Sequence, residues 1–142
     1  MLRYVLIVNK QGQTRLSQYY VEMSVPEKVT LEAELVRKCL GRTPSQCSVV
    51  EFRDHKAVYR RYASLFFIVG MDTFENELGV FEFIHQYLVT LDSLFDSVCE
   101  LDIMLRLDVA HFVLDEMVIN GVIVETNRAT VADMVTHYLA SE

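Results

Sequence analysis

Leu2–Val8 is the stretch that most constrains the fold. In extended geometry Tyr4, Leu6 and Val8 point one way, and Val5 and Ile7 the other. Both faces are apolar, so the strand needs cover on both sides. Asn9–Gly12 reads as a turn, and Thr14–Val21, rich in Tyr and β-branched residues, closes an opening hairpin.

Ser24 and Pro26 then signal a helix start. Leu31, Leu35 and Cys39 recur every four residues, which predicts an amphipathic helix over Pro26–Leu40 ended by Gly41 and Pro44. Three short strands follow at Cys47–Phe52, Lys56–Tyr62 and Leu65–Gly70, spaced closely enough for an antiparallel meander. Asp72 and Asn76 offer caps for a long helix over Glu75–Phe95, with Leu78, Phe81, Ile84, Leu88, Leu91 and Phe95 as its expected buried stripe. Leu101–Leu105 reads as a helical turn. Asp108 is the expected cap of a helix over Val109–Ile119 closed by Asn120–Gly121. An extended piece at Val122–Val124 and a final helix from Arg128 to Leu139 complete the order ββαβββααα. This predicts one α+β domain over residues 1–142, with a five-stranded antiparallel sheet and helices on both faces.

The chain has 142 residues, 51% of them hydrophobic. A small domain cannot hide that much apolar surface unaided, which points to an obligate partner. Thirteen Lys and Arg against 20 Asp and Glu leave a formal charge of −7. Such a balance disfavours nucleic acid, whose binding rests on phosphate neutralisation. Cys39, Cys47 and Cys99 have no CxxC spacing and read as reduced thiols of a cytosolic protein. Met1–Val8 is too short for a signal-peptide core, and no run of about 18 apolar residues occurs.

Phosphate-loop, dinucleotide and nucleophile-elbow motifs are missing, so no enzyme, catalytic residue or cofactor is expected. His55, His85, His111 and His137 are too scattered for a metal site, and His85 reads as a core or boundary residue. Glu100, Asp102, Asp108, Asp115 and Glu116 cluster as carboxylates that capping or solvation explains. Arg53, Lys56, Arg60 and Arg61, with Arg15 as a possible neighbour, form the one basic patch. It serves either salt bridges or capture of a carboxylate or phosphate.

Arg60–Leu65 (RRYASL), Val98–Ile103 (VCELDI), Leu114–Met117 (LDEM) and the opening Asn9–Gly12 through Leu16 resemble the sigma, or small, subunits of the clathrin-adaptor family. The likeness runs from residue 1 to about 129. Val8–Ser17 and Asn120–Ala129 look most like the sigma type of adaptor complex four, while ASL and VCELDI are shared with complex one.

The resemblance implies a longin-like fold in a heterotetramer of two large subunits, a mu subunit and this chain. The large partner would be epsilon-like, or gamma-like in complex one. The assembly would associate peripherally with trans-Golgi and endosomal membranes through an Arf-class GTPase. The resemblance also implies a groove for acidic dileucine cargo signals, [DE]-x-x-x-L-[LI]. Its inner positions would be Ala63, Leu65, Leu88, Val98, Leu101 and Ile103, with Ser97 at the rim and Arg15 near the acidic residue of the signal. The family often carries aromatic and Asn residues where this chain has Met104-Leu105-Arg106-Leu107. The opening ββα order also suits a longin-domain trafficking regulator; RRYASL and VCELDI favour sigma.

Expressed alone, the chain should self-associate or be poorly soluble, because a permanent interface of ~2,000 Å² or more would lie bare. Sedimentation checks this: a monodisperse monomer whose melting point a large subunit does not move would contradict it.

Overall fold

The computed structural model describes residues 1–41, 49–124, 133, 134, 136, 137, 139 and 140. Its elements are β1 (Leu2–Asn9), β2 (Thr14–Tyr19), α1 (Val25–Leu40), β3 (Val49–Glu51), β4 (His55–Tyr62), β5 (Leu65–Asp72), α2 (Glu77–Phe95), α3 (Glu100–Leu105), α4 (Leu107–Met117), β6 (Val118–Ile119) and β7 (Val122–Ile123). The five long-sheet strands lie in the order β2-β1-β5-β4-β3, with every neighbouring pair antiparallel. β6 and β7 form a separate hairpin. Cys47 and most of the predicted final helix lie outside the described residues; those described from 133 to 140 are helical.

The alternation of β1 sorts the core into two layers. Tyr4, Leu6 and Val8 join Val50, Ala57, Tyr59, Phe66 and Ile68 under Leu35 and Cys39 of α1. Val5 and Ile7 join Val58, Phe67 and Val69 under Phe83, Ile84, Tyr87 and Leu91 of α2 and Val113 and Met117 of α4. Leu2 falls in this second layer despite its even number, because the β1–β5 register shifts between Leu2 and Tyr4.

Local chemistry sets the helix starts. Ser24 accepts from the Glu27 backbone N–H at 3.3 Å, and the Glu27 carboxylate accepts from the Ser24 N–H at 3.4 Å, a capping box. Asn76 caps α2 by accepting from Leu78 N–H at 3.1 Å. The helix therefore begins at Glu77, two residues later than the sequence suggests.

Leu78, expected in the buried stripe, is 78% exposed, and Phe81 and Phe95 are only partly buried. Val80, Phe83 and Tyr87 take the inner face alongside Ile84, Leu88 and Leu91. The helix is apolar around most of its girth, so periodicity alone did not fix which side faces in.

α4 also differs from expectation. It starts at Leu107, with Arg106 at the cap position. Asp108 sits in the first turn, where its carboxylate accepts from the Arg106 guanidinium at 3.1 Å. The helix ends at Met117, because Asn120 (φ 50°) and Gly121 (φ 84°) form the tight turn of the β6–β7 hairpin rather than a helix stop. The Gly121 carbonyl accepts from Leu2 N–H at 2.7 Å, docking the hairpin on the start of β1.

Gly70 of β5 pairs with Tyr4 on one side and Ala57 on the other. The Tyr4 ring lies across it, and a Cβ there would overlap that ring. Gly70→Ala should therefore destabilise the fold by about 1–3 kcal/mol through overpacking. Thermal unfolding followed by circular dichroism checks this, and an unchanged melting point would refute it.

Candidate functional site

Four elements converge beside the end of the β4–β5 hairpin: the β1–β2 turn, the C-terminal half of α2, the connection that follows it, and α3. The hairpin turn places Ala63 in the left-handed region (φ 54°), exposed. Leu65 follows, fully buried, between Asn9 of β1 and Tyr62 of β4.

α2 ends at Asp96 (φ 54°), and Ser97 (φ 78°) continues the left-handed bend. This reversal turns Val98 inward to 2% exposure. Asp92, one turn back on α2, fixes the bend: its carboxylate accepts from Val98 N–H at 2.9 Å and from the Tyr62 hydroxyl at 3.0 Å, and its carbonyl from Ser97 N–H at 3.0 Å. Tyr62 thereby ties the hairpin to the helix end, and this bond to a carboxylate raises the phenol pKa. Cys99 starts α3, its thiol donating to Asp102 at 3.3 Å.

Buried Asn9 links the other two sides. Its side-chain oxygen accepts from the N–H groups of Gln11 (3.0 Å) and Gln13 (2.8 Å), shaping the β1–β2 turn. Its amide donates to Gln13 at 2.9 Å and to Glu100 at 2.8 Å. The same Glu100 oxygen accepts from Arg15 Nε at 2.8 Å. Asn9 first, and Arg15 second, hold the Glu100 carboxyl below the usual glutamate range.

The structure thus places Leu65, Leu88, Val98 and Ile103 together in the core layer beneath α2 and α4, each between 0 and 3% exposed. Ser97 and Ala63 lie outside it, exposed. Leu101, expected inside the groove, is 58% exposed on the outer side of α3, near Met104 (50%) and Leu105 (71%). Arg15 stands at the site, with its guanidinium on Glu100 and on Gln13 at 2.9 Å. Sequence reasoning missed Asn9 and Asp92 as organisers; a turn-forming Asn and an unassigned Asp near a helix end were the only available signals.

The basic patch divides. Lys56 pairs with Glu77 at 2.8 Å, Arg60 donates to His85 at 3.0 Å, and Arg61 lies over the Phe66 ring at 5.8 Å. Arg15 belongs to the α3 site instead. His85 is exposed on α2, not a core residue. Among the described residues, no three His, Cys, Asp or Glu side chains are placed to hold a metal ion. No described helix is long and apolar enough to cross a membrane.

A central antiparallel sheet layered by α1 on one face and by α2 and α4 on the other defines a small α+β interaction domain. The sequence pattern of the clathrin adaptor complex small chain matches residues 1–140, and the chain belongs to that family. It is 59% identical over 130 residues to the AP-4 complex subunit sigma of Arabidopsis thaliana, covering 92% of this chain and 91% of that one. To the human AP-4 complex subunit sigma-1 it is 51% identical over 131 residues, again covering 92% and 91%. The AP-1 complex subunit sigma-1 of Saccharomyces cerevisiae is 43% identical, over 95% of this chain and 88% of that one. The chain is therefore the small subunit of an adaptor protein complex, with greater likeness to these AP-4 sigma subunits than to that AP-1 subunit. Its fold matches a chain of a homology model of the full-length AP-3 complex in a stretched open conformation, with a TM-score of 0.80, 26% identity, and 99% and 95% of the two chains covered. The longin-like reading of the fold stands with it.

The Glu100 lock is pH-dependent. Because its folded pKa is lowered, its contribution is present above the ordinary glutamate pKa and is lost as pH falls through the folded value. In a carboxyl NMR titration Glu100 should titrate below an unperturbed glutamate, and Asn9→Ala and Arg15→Ala should each move it back up. A normal wild-type titration would refute the lock.

Proposed function

We propose that this chain is the sigma subunit of an AP-4-type heterotetramer that sorts transmembrane cargo at trans-Golgi and endosomal membranes. It stabilises an epsilon-like large subunit and contributes to binding of acidic dileucine signals. The observation that supports the cargo role is the cluster of Leu65, Leu88, Val98 and Ile103, roofed by a bend and a six-residue helix whose start is tied to Arg15. In this structure the cluster is closed on itself. A dileucine signal would enter by displacing the Ser97–Leu101 roof, Val98 included, and replacing the core contacts of Val98 by its own. Its acidic residue would take the place of Glu100 on Arg15.

The exposed apolar side chains support the partner role. Phe74 is 99% exposed, Leu78 78%, Val25 72% and Leu105 71%. Side chains this large and this bare supply area that a permanent subunit would cover. A mu subunit and a second large subunit would complete the assembly and attach it to the membrane.

Magnitudes decide what drives signal binding. Burying each leucine contributes roughly 1.5–3 kcal/mol, while a partly exposed ion pair contributes about 0–1. Ordering a flexible tail subtracts from the sum, so the expected affinity is on the order of micromolar or poorer, about −8 kcal/mol at best. Membrane attachment and a second cargo site on mu would add avidity.

Leu65→Ser and Val98→Asp probe the cluster directly, but both replace buried side chains and threaten the core. Ser97→Asp and Leu101→Glu alter exposed positions at its edge and leave the core intact. Each edge variant, assembled into the full complex and titrated with a dileucine peptide, should keep assembly and lose at least about tenfold in affinity. Unchanged binding, or no binding by the wild-type complex on anionic-lipid membranes bearing its GTPase, would overturn the proposal.

A further inference from the structure

On the opposite face of the sheet, a groove of about 630 Å³ opens between the N-terminal half of α1 and the β3–β4 turn. α1 seals the sheet with Leu35 and Cys39, which are fully buried, whereas nearer its start Leu31 is only partly covered. Tyr4 and His55, 1% and 6% exposed, form the floor, with the Phe52 ring stacked on His55 at 4.6 Å.

The hydrogen-bond donors of the floor are already paired. Its short separations accommodate the Tyr4 hydroxyl donating to His55 Nε2 at 2.8 Å while His55 Nδ1–H donates to Asp54 at 2.9 Å. Burial raises the Tyr4 phenol pKa far above its ordinary value, and the bond from His55 lowers that of Asp54. Both observations accord with a neutral tyrosine and an ionised aspartate. A ligand would therefore meet the floor through apolar contact.

The rim is acidic: Glu22, Glu27, Glu34 and Asp54 line it, with Arg3 as the lining cation. Arg3 is engaged with Asp72 at 2.9 Å and Asp54 at 3.5 Å, and Lys38 neutralises Glu34 at 3.3 Å. Glu22 and Glu27 remain exposed with no ion pair among the described residues. These rim acids converge on no metal-sized point, so an organic cation with an apolar neighbour is the matching chemistry.

We infer that this groove docks a short linear segment of another protein, carrying an arginine or lysine beside an apolar side chain. The basic group would reach Glu22 and Glu27, its aliphatic stem lying along Met23 and Leu31. The apolar neighbour would rest against Val21 and the edge of Phe52, whose ring faces are taken by His55 at 4.6 Å and the Lys38 ammonium at 4.4 Å. This face is separated from the α3 site by the sheet itself, so the two segments could bind together.

The test is a peptide-display selection from a random library on the assembled heterotetramer. It is run in parallel on the wild type and on a Glu22→Lys, Glu27→Gln double variant; glutamine at 27 keeps the helix cap. Basic–apolar peptides should be enriched on the wild type. Synthetic copies should bind the variant about tenfold or more weakly and weaken as salt rises, while dileucine-peptide affinity stays unchanged. No basic enrichment, or equal affinity for the variant, would overturn the inference. So would protection of Glu22 and Glu27 from carbodiimide labelling in the unliganded complex, because another subunit would then already fill the groove.

Discussion

β1 and β5 run antiparallel at the centre of the sheet, and neither has a face that water can wet. Tyr4, Leu6, Val8, Phe66 and Ile68 project one way; Val5, Ile7, Phe67 and Val69 project the other. Each layer must therefore be completed by helices, and α1 does so on one side, α2 and α4 on the other. The demand reaches single atoms. The Tyr4 ring fits between the sheet and α1 only because Gly70 beside it has no side chain, and its hydroxyl is satisfied only because His55 lies within reach.

That central demand was legible in the sequence because strand alternation is strict from Tyr4 to Val8: once that stretch is extended, the direction of each side chain is set, and only Leu2, before the register shift, departs from it. Ser24 and Asn76 were legible for a similar reason, since a cap is local chemistry within a few residues. The long helix was harder. Leu78, Val80, Phe81, Phe83 and Ile84 offer several apolar stripes, and only packing against the sheet selects among them. Asn120–Gly121 was ambiguous because the same pair can stop a helix or turn a hairpin; Leu2, distant in sequence, anchors the hairpin form through the Gly121 carbonyl.

The candidate cargo site shows the same division. Its apolar members came from resemblance, and four of them, Leu65, Leu88, Val98 and Ile103, fall in the core layer beneath α2 and α4. The side chains that hold its walls are polar, and their partners lie far along the chain: Asn9 with Glu100, Tyr62 with Asp92. Nothing in the local sequence distinguishes such a residue from an ordinary turn or surface polar group. Leu101 stood apart for a geometric reason. Val98 and Ile103 share the inward side of the bend and short helix, and Leu101 falls on the other.

If the proposed cargo role holds, the Arg15–Glu100 pair has a kinetic consequence as well as a structural one. Arg15 is already engaged, so an acidic ligand reaching it swaps one carboxylate for another and the number of ion pairs is conserved. A swap of this kind is close to isoenergetic, and the internal glutamate, tethered on α3, is always present at high effective concentration. It would compete for the guanidinium from the instant a bound acid began to leave, without waiting for water to solvate a bare charge. Such a displacer would hold residence times short. A coat subunit built this way would hand its passengers on quickly, with selectivity vested in the greasy part of the signal and turnover in the charged part.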